Sequence, residues 1–186
     1  KTGETKWVDI TTSGIVYQGV EAIIGTAVDI TDRKQKEKEL EMVAKISEAL
    51  RVAMTRGEIA PTVLQEIIGF LDVNGALIST IELDKEIQIL DRAMGCFAPA
   101  DMSRLKANEG LTGYIINTGK PYVNNQAPQD PYFTFPELLT NLSSLAGVPL
   151  ITKGETIGAL LIGSSHILTD NELRLLGTIG DMTASA

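Results

Sequence analysis

Asp29-Ile30-Thr31-Asp32-Arg33-Lys34 constrains this chain more than any other stretch, because the hydrophobic period changes there. Before it, Trp7-Val8-Asp9-Ile10-Thr11-Thr12 and Ala22 to Ile30 are rich in β-formers, with Tyr17-Gln18-Gly19 as a turn. After it the spacing is helical. Thr31 and Asp32 are suited to an N-cap, where a short side-chain oxygen accepts an orphan N–H of the first turn. Up to about Met54, the residues Val43, Ile46, Leu50 and Ala53 follow the a/d rhythm of a coiled coil, flanked by Leu40 and Met42. Lys34 to Glu41 alternates in sign, as a solvated helix does. The pattern suits a surface helix packed on its own domain. A parallel dimer helix is favoured, because nothing beside the charged first turns covers them.

Residues 57–186 carry seven Lys or Arg against fifteen Asp or Glu, so the net charge of -8 is concentrated there. An acidic domain without a basic stripe repels a phosphate backbone, so no nucleic acid partner is expected. Apolar runs such as Ile157 to Ile162 are too short to cross a bilayer, and no membrane contact or secretory leader is expected. The chain opens on Lys1, which reads as a piece of a longer protein, and a cytoplasmic one. A single cysteine, Cys96, and a single histidine, His166, exclude an internal disulfide, a multi-cysteine metal site and any His cluster.

Two isolated strands are marginal in water, so residues 1–32 belong with further strands or another chain. Gly57 is read as a break and Pro61 as the first turn of a helix over about 60–71. Ala76–Leu83 and Glu86–Ala93 follow as strands around an Asp84-Lys85 turn, then a short helix within Ala100–Lys106. Glu109-Gly110-Leu111-Thr112-Gly113 opens a helix that stops at Thr118-Gly119. Pro121-Tyr122-Val123 reads as an edge strand, and Asn124 to Pro136 as a long loop carrying Tyr132, Phe133 and Phe135. A short helix over Glu137–Ser143 and strands Leu145–Ile151 and Thr156–Gly163 follow. Thr169-Asp170-Asn171-Glu172 caps a last helix bearing Leu173, Leu176, Ile179 and Met182. The sum is an α+β layout with helices set around an antiparallel sheet.

Two resemblances emerge from these motifs. Lys1-Thr2-Gly3-Glu4 with Trp7, and Ile24 to Lys34 ending in Asp-Ile-Thr-Asp-Arg-Lys, resemble the C-terminal hairpin of a PAS domain. Glu109 to Gly113, Thr118 to Pro121, Leu145 to Pro149, Gly154 to Gly158 and Leu168 to Leu173 occur in the order of a GAF domain, which they resemble from about residue 42 onward. The resemblance divides the chain into a PAS fragment (1–32), a signalling helix (33–56) and a GAF domain (57–186). It implies a six-stranded sheet with a small-molecule pocket on one face and the first and last helices on the other, often as a homodimer. It further implies a sensor of a prokaryotic, two-component-like protein whose output, a histidine kinase, diguanylate cyclase or HD-type phosphodiesterase, lies in the same chain outside this piece. On this reading the piece itself is not an enzyme.

Candidate pocket residues are Ile78, Cys96, Phe97, Gly110, Leu111, Thr112, Tyr114, Ile115, Tyr132, Phe133 and Phe135. Glycines at 110 and 113 let backbone approach a ligand, and a helix start offers free N–H groups; the same glycines also suit turn geometry alone. The relay residues are Asp29, Thr31, Val43, Ile46, Leu50, Ala53, Leu176 and Ile179, with a bend at Gly57–Pro61 and the end of the seam meeting Leu176 and Ile179. The cofactor is unknown. Thr152-Lys153 to Asn171-Glu172 lacks the Asn and Phe of cyclic-nucleotide-binding relatives, and Gly95-Cys96-Phe97 lacks the Cys-His pattern of bilin attachment. A lone turn histidine is a poor haem candidate. The alternatives are a ligand-free GAF spacer, or a GAF-fold methionine sulfoxide reductase, which Cys96 alone disfavours because one thiol attacks and another resolves.

Overall fold

The computed structural model describes residues 6–52, 56–82, 87–98, 106 and 108–186. The chain divides into two units, Lys1–Met42 and Val43–Ala186.

In the first unit, β1 (Val8–Tyr17) and β2 (Val20–Asp29) form an antiparallel ribbon closed by Gln18 and Gly19, both with positive φ. The strand that starts at Val8 continues through Gly14 to Tyr17 without a break. Ile10, Val16, Ile23 and Val28 are all more than half exposed, so apolar side chains stand uncovered on both faces of the ribbon. Helix α1 (Thr31–Val52) starts directly from β2. Its junction differs from a plain Thr cap. Asp29 accepts the Thr31 N–H at 3.0 Å, while the Thr31 hydroxyl turns back to accept the Trp7 N–H at 2.9 Å. Thr31 first and Lys6 next hold the Asp29 carboxyl down at about 2.

Met42 and Ile46 of α1 are wholly buried within the single chain, and Val43 and Leu50 are half-buried. The inward stripe therefore includes Met42, which the heptad reading left at the side. Ala53, Met54, the Lys1–Glu4 turn, the Asp84-Lys85 turn and the 100–105 part of the expected short helix lie outside the described residues.

In the second unit, α2 (Arg56–Leu71) runs through Gly57 rather than starting after it, and Pro61 falls in its second turn rather than its first. Pro61 removes the helix bond that the Gly57 carbonyl would accept; Val63, Leu64 and Ile67, fully buried, hold the helix through packing. β3 (Gly75–Glu82), β4 (Ile87–Gly95), β5 (Tyr122–Asn124), β6 (Ser144–Thr152) and β7 (Glu155–Ser164) form one antiparallel sheet in the order β4-β3-β7-β6-β5. That is five strands among the described residues, not six. Beyond these strands, a single bridge joins Ile87 to Lys106. Short 3₁₀ turns occupy Ala127–Gln129 and Pro136–Leu139, the second in place of the expected short helix.

Helix α3 (Gly110–Thr118) covers one face of β6 and β7; α4 (Asp170–Ser185) covers the other, mainly on β6, and α2 packs beside it on β3 and β4. β6 and β7 are buried along most of their length because both faces are packed. Glycines set the closest approaches. A Cβ at Gly180 of α4 would stand 2.8 Å from Val148 Cγ2, and one at Gly158 only 2.4 Å from the Ser79 carbonyl oxygen.

Gly158→Ala is therefore expected to destabilise the protein by about 1–3 kcal/mol, since backbone rather than a side-chain tip must move. Gly177→Ala, in open space within α4, is expected to raise stability by about 0.5–1 kcal/mol. Urea denaturation of both variants tests this pair, and equal effects of one sign would contradict it.

Candidate functional site

The site face of the sheet is apolar at its base. Leu77, Phe97, Leu111, Ile115, Ala127, Leu139, Leu145, Ala159 and Leu161 are buried in one cluster there. Two glycines let side chains sink onto the strands. A Cβ at Gly147 would come 2.4 Å from Ile115 Cδ1, and one at Gly163 would come 2.7 Å from Phe97 Cζ.

A buried amide fixes the start of α3. Gln88 of β4, 1% exposed, donates through Nε2 to the carbonyls of Lys106 (2.7 Å) and Glu109 (2.6 Å), and its Oε1 accepts the Thr112 hydroxyl (2.5 Å). Both ends of the amide are thereby used, which buried polar groups require. Gly110 takes φ 70°, and a Cβ at Gly113 would stand 2.9 Å from Gln88 Nε2. Gly110 thus serves the turn into α3, while Gly113 allows the close approach of α3 to Gln88 and to the Asn108 backbone. Gly119 closes the helix at φ 62°, its N–H bonding the Ile115 carbonyl.

One carboxylate gathers the aromatic part of the 124–136 loop. Asp130 Oδ2 accepts the Tyr122 hydroxyl and the Asn124 amide, each at 2.8 Å, and Oδ1 accepts the backbone N–H groups of Tyr132 (3.0 Å) and Phe133 (2.9 Å). Burial, then the Asp130 hydrogen bond, pushes the Tyr122 phenol above its usual range. Tyr114 and Tyr132 stack at 4.2 Å, with Tyr122 edge-on to both. Phe133 rests on Phe97 at 5.5 Å and Phe135 on Phe133 at 6.3 Å.

Between Leu77, Gly110, Leu111, Thr112, Phe133, Phe135 and Leu161 the remaining cavity is about 10 Å³, at the lower limit for one water. The candidates Phe97, Gly110, Leu111, Thr112, Phe133 and Phe135 thus come together, with Ile115 beneath them. Tyr114 and Tyr132 form the neighbouring tyrosine group. Cys96 packs half-buried against the cluster, and burial pushes its thiol up. Ile78 is on the opposite face, lining a cavity of about 70 Å³ with Ile59, Ala60, Thr183 and Ala184. Its neighbour Leu77 takes the site face, as the two-residue period of a strand demands. All of Gly75 to Ser79 is buried, so no hydrophobic alternation could reveal which face is which. Leu176 and Ile179 are wholly buried on α4.

Gln88, Asp130 and Ser144 were not singled out in the sequence. Asp130 had a signal, since Asp-Pro marks a turn whose carboxylate bonds the following backbone. Gln88 had a weaker one, as an amide inside the apolar run Ile87 to Leu90.

At the start of α4, Thr169 and Glu172 form a capping box. Glu172 Oε2 accepts the Thr169 N–H and hydroxyl, each at 2.7 Å, and Oε1 faces His166 Nε2 at 3.1 Å. Burial works to raise the Glu172 carboxyl, but the hydrogen bonds from Thr169 and then His166 outweigh it and hold it below 4.5.

A family model described as GAF domain matches residues 53–186. A Nif-specific regulatory protein of Herbaspirillum seropedicae is 25% identical over 162 residues, covering 82% of this chain and 30% of that protein. The chain therefore spans under a third of that relative's length. Among solved structures, the GAF domain of a phosphoenolpyruvate-protein phosphotransferase from Coxiella burnetii superposes with TM-score 0.69 at 20% identity, covering 80% of this chain and 92% of that one. The nlh2 GAF domain of A. Aeolicus in an inactive state gives 0.69 at 23% identity, covering 81% and 96%. A free methionine-R-sulfoxide reductase from Neisseria meningitidis, in complex with its substrate, gives 0.68 at 15% identity, covering 79% and 86%. At these identities the superpositions speak to fold alone.

Two outcomes follow from the geometry. Asp130→Ala is expected to cost about 2 kcal/mol and to accelerate amide exchange at Tyr132 and Phe133, because four hydrogen bonds lose their acceptor. Glu172 has a depressed folded pKa, so its contribution to stability is complete above pH 4.5 and is lost as the pH falls through the folded value. The gap in Tm between wild type and Glu172→Gln should therefore shrink below pH 4.5. A gap of equal size at pH 3 and pH 7 would show that the carboxylate's charge is not its source.

Proposed function

The chain belongs to the GAF domain family, and from that premise we propose that it is a sensory and regulatory module of a larger signal-transduction protein. The observation that carries this reading is the plug over the α3 start. Phe133 stands on Phe97 from the part of the loop that Asp130 ties down, so a few bonds would separate the filled site from an open one. A small molecule would take the place of Phe133 and Phe135 above Leu111 and Thr112. Ligand-dependent movement would pass to α1 and α4, packed as helices of a homodimer, and from there to an output domain elsewhere in the same protein, cytoplasmic by this reading. A regulatory protein among the relatives supports such a role. The ribbon β1–β2 would be the closing pair of strands of a PAS domain; the uncovered Ile10, Val16, Ile23 and Val28 support a place inside a larger sheet.

A second reading is a ligand-free spacer, favoured by the 10 Å³ left at the site. The reductase reading is the weakest of the three, because Cys96 is the one cysteine and burial keeps its thiol protonated.

Native mass spectrometry of protein taken from its own host separates the first two readings. A retained small molecule is expected for the wild type and is expected to be lost in Leu111→Trp, which fills the site. No retained mass, with no rise in Tm against a metabolite library, would leave the spacer. Sedimentation should show a dimer that Val43→Glu weakens; a monomeric wild type at high concentration would remove the dimer relay.

A further inference from the structure

Two buried hydroxyls lie where the loop over the site meets the chain entering α4. Ser144 opens β6 and Ser164 closes β7; they are register partners, and both are 0% exposed. The Ser144 hydroxyl donates to Asn125 Oδ1 at 2.9 Å, and its oxygen accepts the Leu168 N–H at 3.4 Å. Asn125 follows Asn124, whose amide holds Asp130. Ala127, two residues on, bonds the Ser143 carbonyl, and Ser143 in turn bonds the Ser164 carbonyl. The Ser164 oxygen accepts the His166 N–H at 3.1 Å and lies 2.8 Å from His166 Nδ1. His166 Nε2 then meets Glu172, whose other oxygen closes the capping box on Thr169.

Two threads therefore leave the same end of the central strands. One runs Asn125–Ser144–Leu168, and the other Ser164–His166–Glu172–Thr169. We propose that the Ser144–Ser164 pair is the coupling element through which the position of the 124–136 loop sets the order of the first turn of α4. The mechanism lies in the hydroxyl. Ser144 has one proton, and while Asn125 accepts it the oxygen's lone pairs face the Leu168 N–H. Withdrawal of Asn125 makes that buried hydroxyl rotate to another acceptor, because a buried donor left unmade is costly. Rotation swings the lone pairs away from Leu168, and the segment leading to Thr169 loses its tie to the sheet. Bonds in such a chain polarise one another, so loosening one weakens the next. α4 thereby senses the loop directly, without any change in the apolar core beneath it.

The inference rests on the reading of the 124–136 loop as the part of the site that moves, but its test needs no ligand, so its failure and the failure of ligand binding are separately visible. Amide hydrogen exchange by NMR is compared among wild type, Asn125→Ala, Asn125→Asp and the core variant Val63→Ala. Asn125 is exposed, so its variants should fold. Asn125→Ala is expected to speed exchange at Leu168, Glu172 and Leu173 at least about five-fold, and Asn125→Asp, which keeps an acceptor oxygen, to restore most of the protection. Glu172→Gln should speed exchange at Ala127 in the reverse direction, since coupling is reciprocal. Acceleration confined to residues 124–136 would overturn the proposal. So would a uniform acceleration matching that of Val63→Ala, because it would report lost global stability alone.

Discussion

Phe97 lies against the bare backbone of Gly163, and the state of the whole site face depends on that contact. With any side chain at position 163, the ring would be lifted off the central strand. At its present depth it is wholly buried, and Phe133 can settle on it at 5.5 Å. Gly147 does the same for Ile115, which brings α3 down onto β6 and β7. The base of the site is therefore rigid, made of side chains pressed into a sheet that α2 and α4 cover from behind. The layer above that base is the loop.

Around this apolar base, three of the described irregular segments are each gathered by a polar side chain whose partners are mostly backbone or amide groups. Gln88 clamps the approach to α3, Asp130 folds the aromatic loop, and Asn74 ties the Ser165 N–H to the start of β3 at 2.6 Å. Among the described residues no buried side-chain polar atom lacks a partner. Satisfied hubs of this kind specify one arrangement more sharply than apolar contacts do, since sliding by a fraction of an ångström costs little in oil-like packing and much in a hydrogen bond. They also make the arrangement switchable, because a few bonds define it.

Which features could be read in advance follows from the same division. The α+β class, the order of elements and the α4 cap were legible because they rest on local chemistry: period, turn residues, and a Thr-x-x-Glu box whose reciprocal bonds the structure contains. The two-stranded ribbon and the helix after Asp29 were equally local. The sheet's faces were not. Gly75 to Ser79 is buried on both sides, so Ile78 and Leu77 could not be told apart. The five strands were legible one by one; the sixth came from the family resemblance alone, and Cys96 to Asn108 carries no strong period that would support it. Gly57 misled because propensity is a weak prior, and packing of Val63, Leu64 and Ile67 carried α2 past it. The serine pair was invisible because its members lie on different strands and acquire meaning only through register.

The filled site does not by itself choose between a sensor and a spacer; the energy needed to open it does. Lifting a half-buried phenylalanine off its bed forgoes at most about 1.5–3 kcal/mol of apolar burial. Releasing the loop from Asp130 adds net hydrogen-bond losses of about 1 kcal/mol each, which water partly replaces once the carboxylate is exposed. On the proposed sensor reading, a ligand would have to favour the open state by at least that total to hold the loop open. On that reading the ligand would have to bury more apolar area against Leu77, Leu111 and Leu161 than the half-buried Phe133 and Phe135 give up. The difference in affinity between the two states would then come from that added area, and the loop would stay open for as long as the ligand remained. Half-buried rings over a rigid base, held by one carboxylate, fit a site that closes weakly.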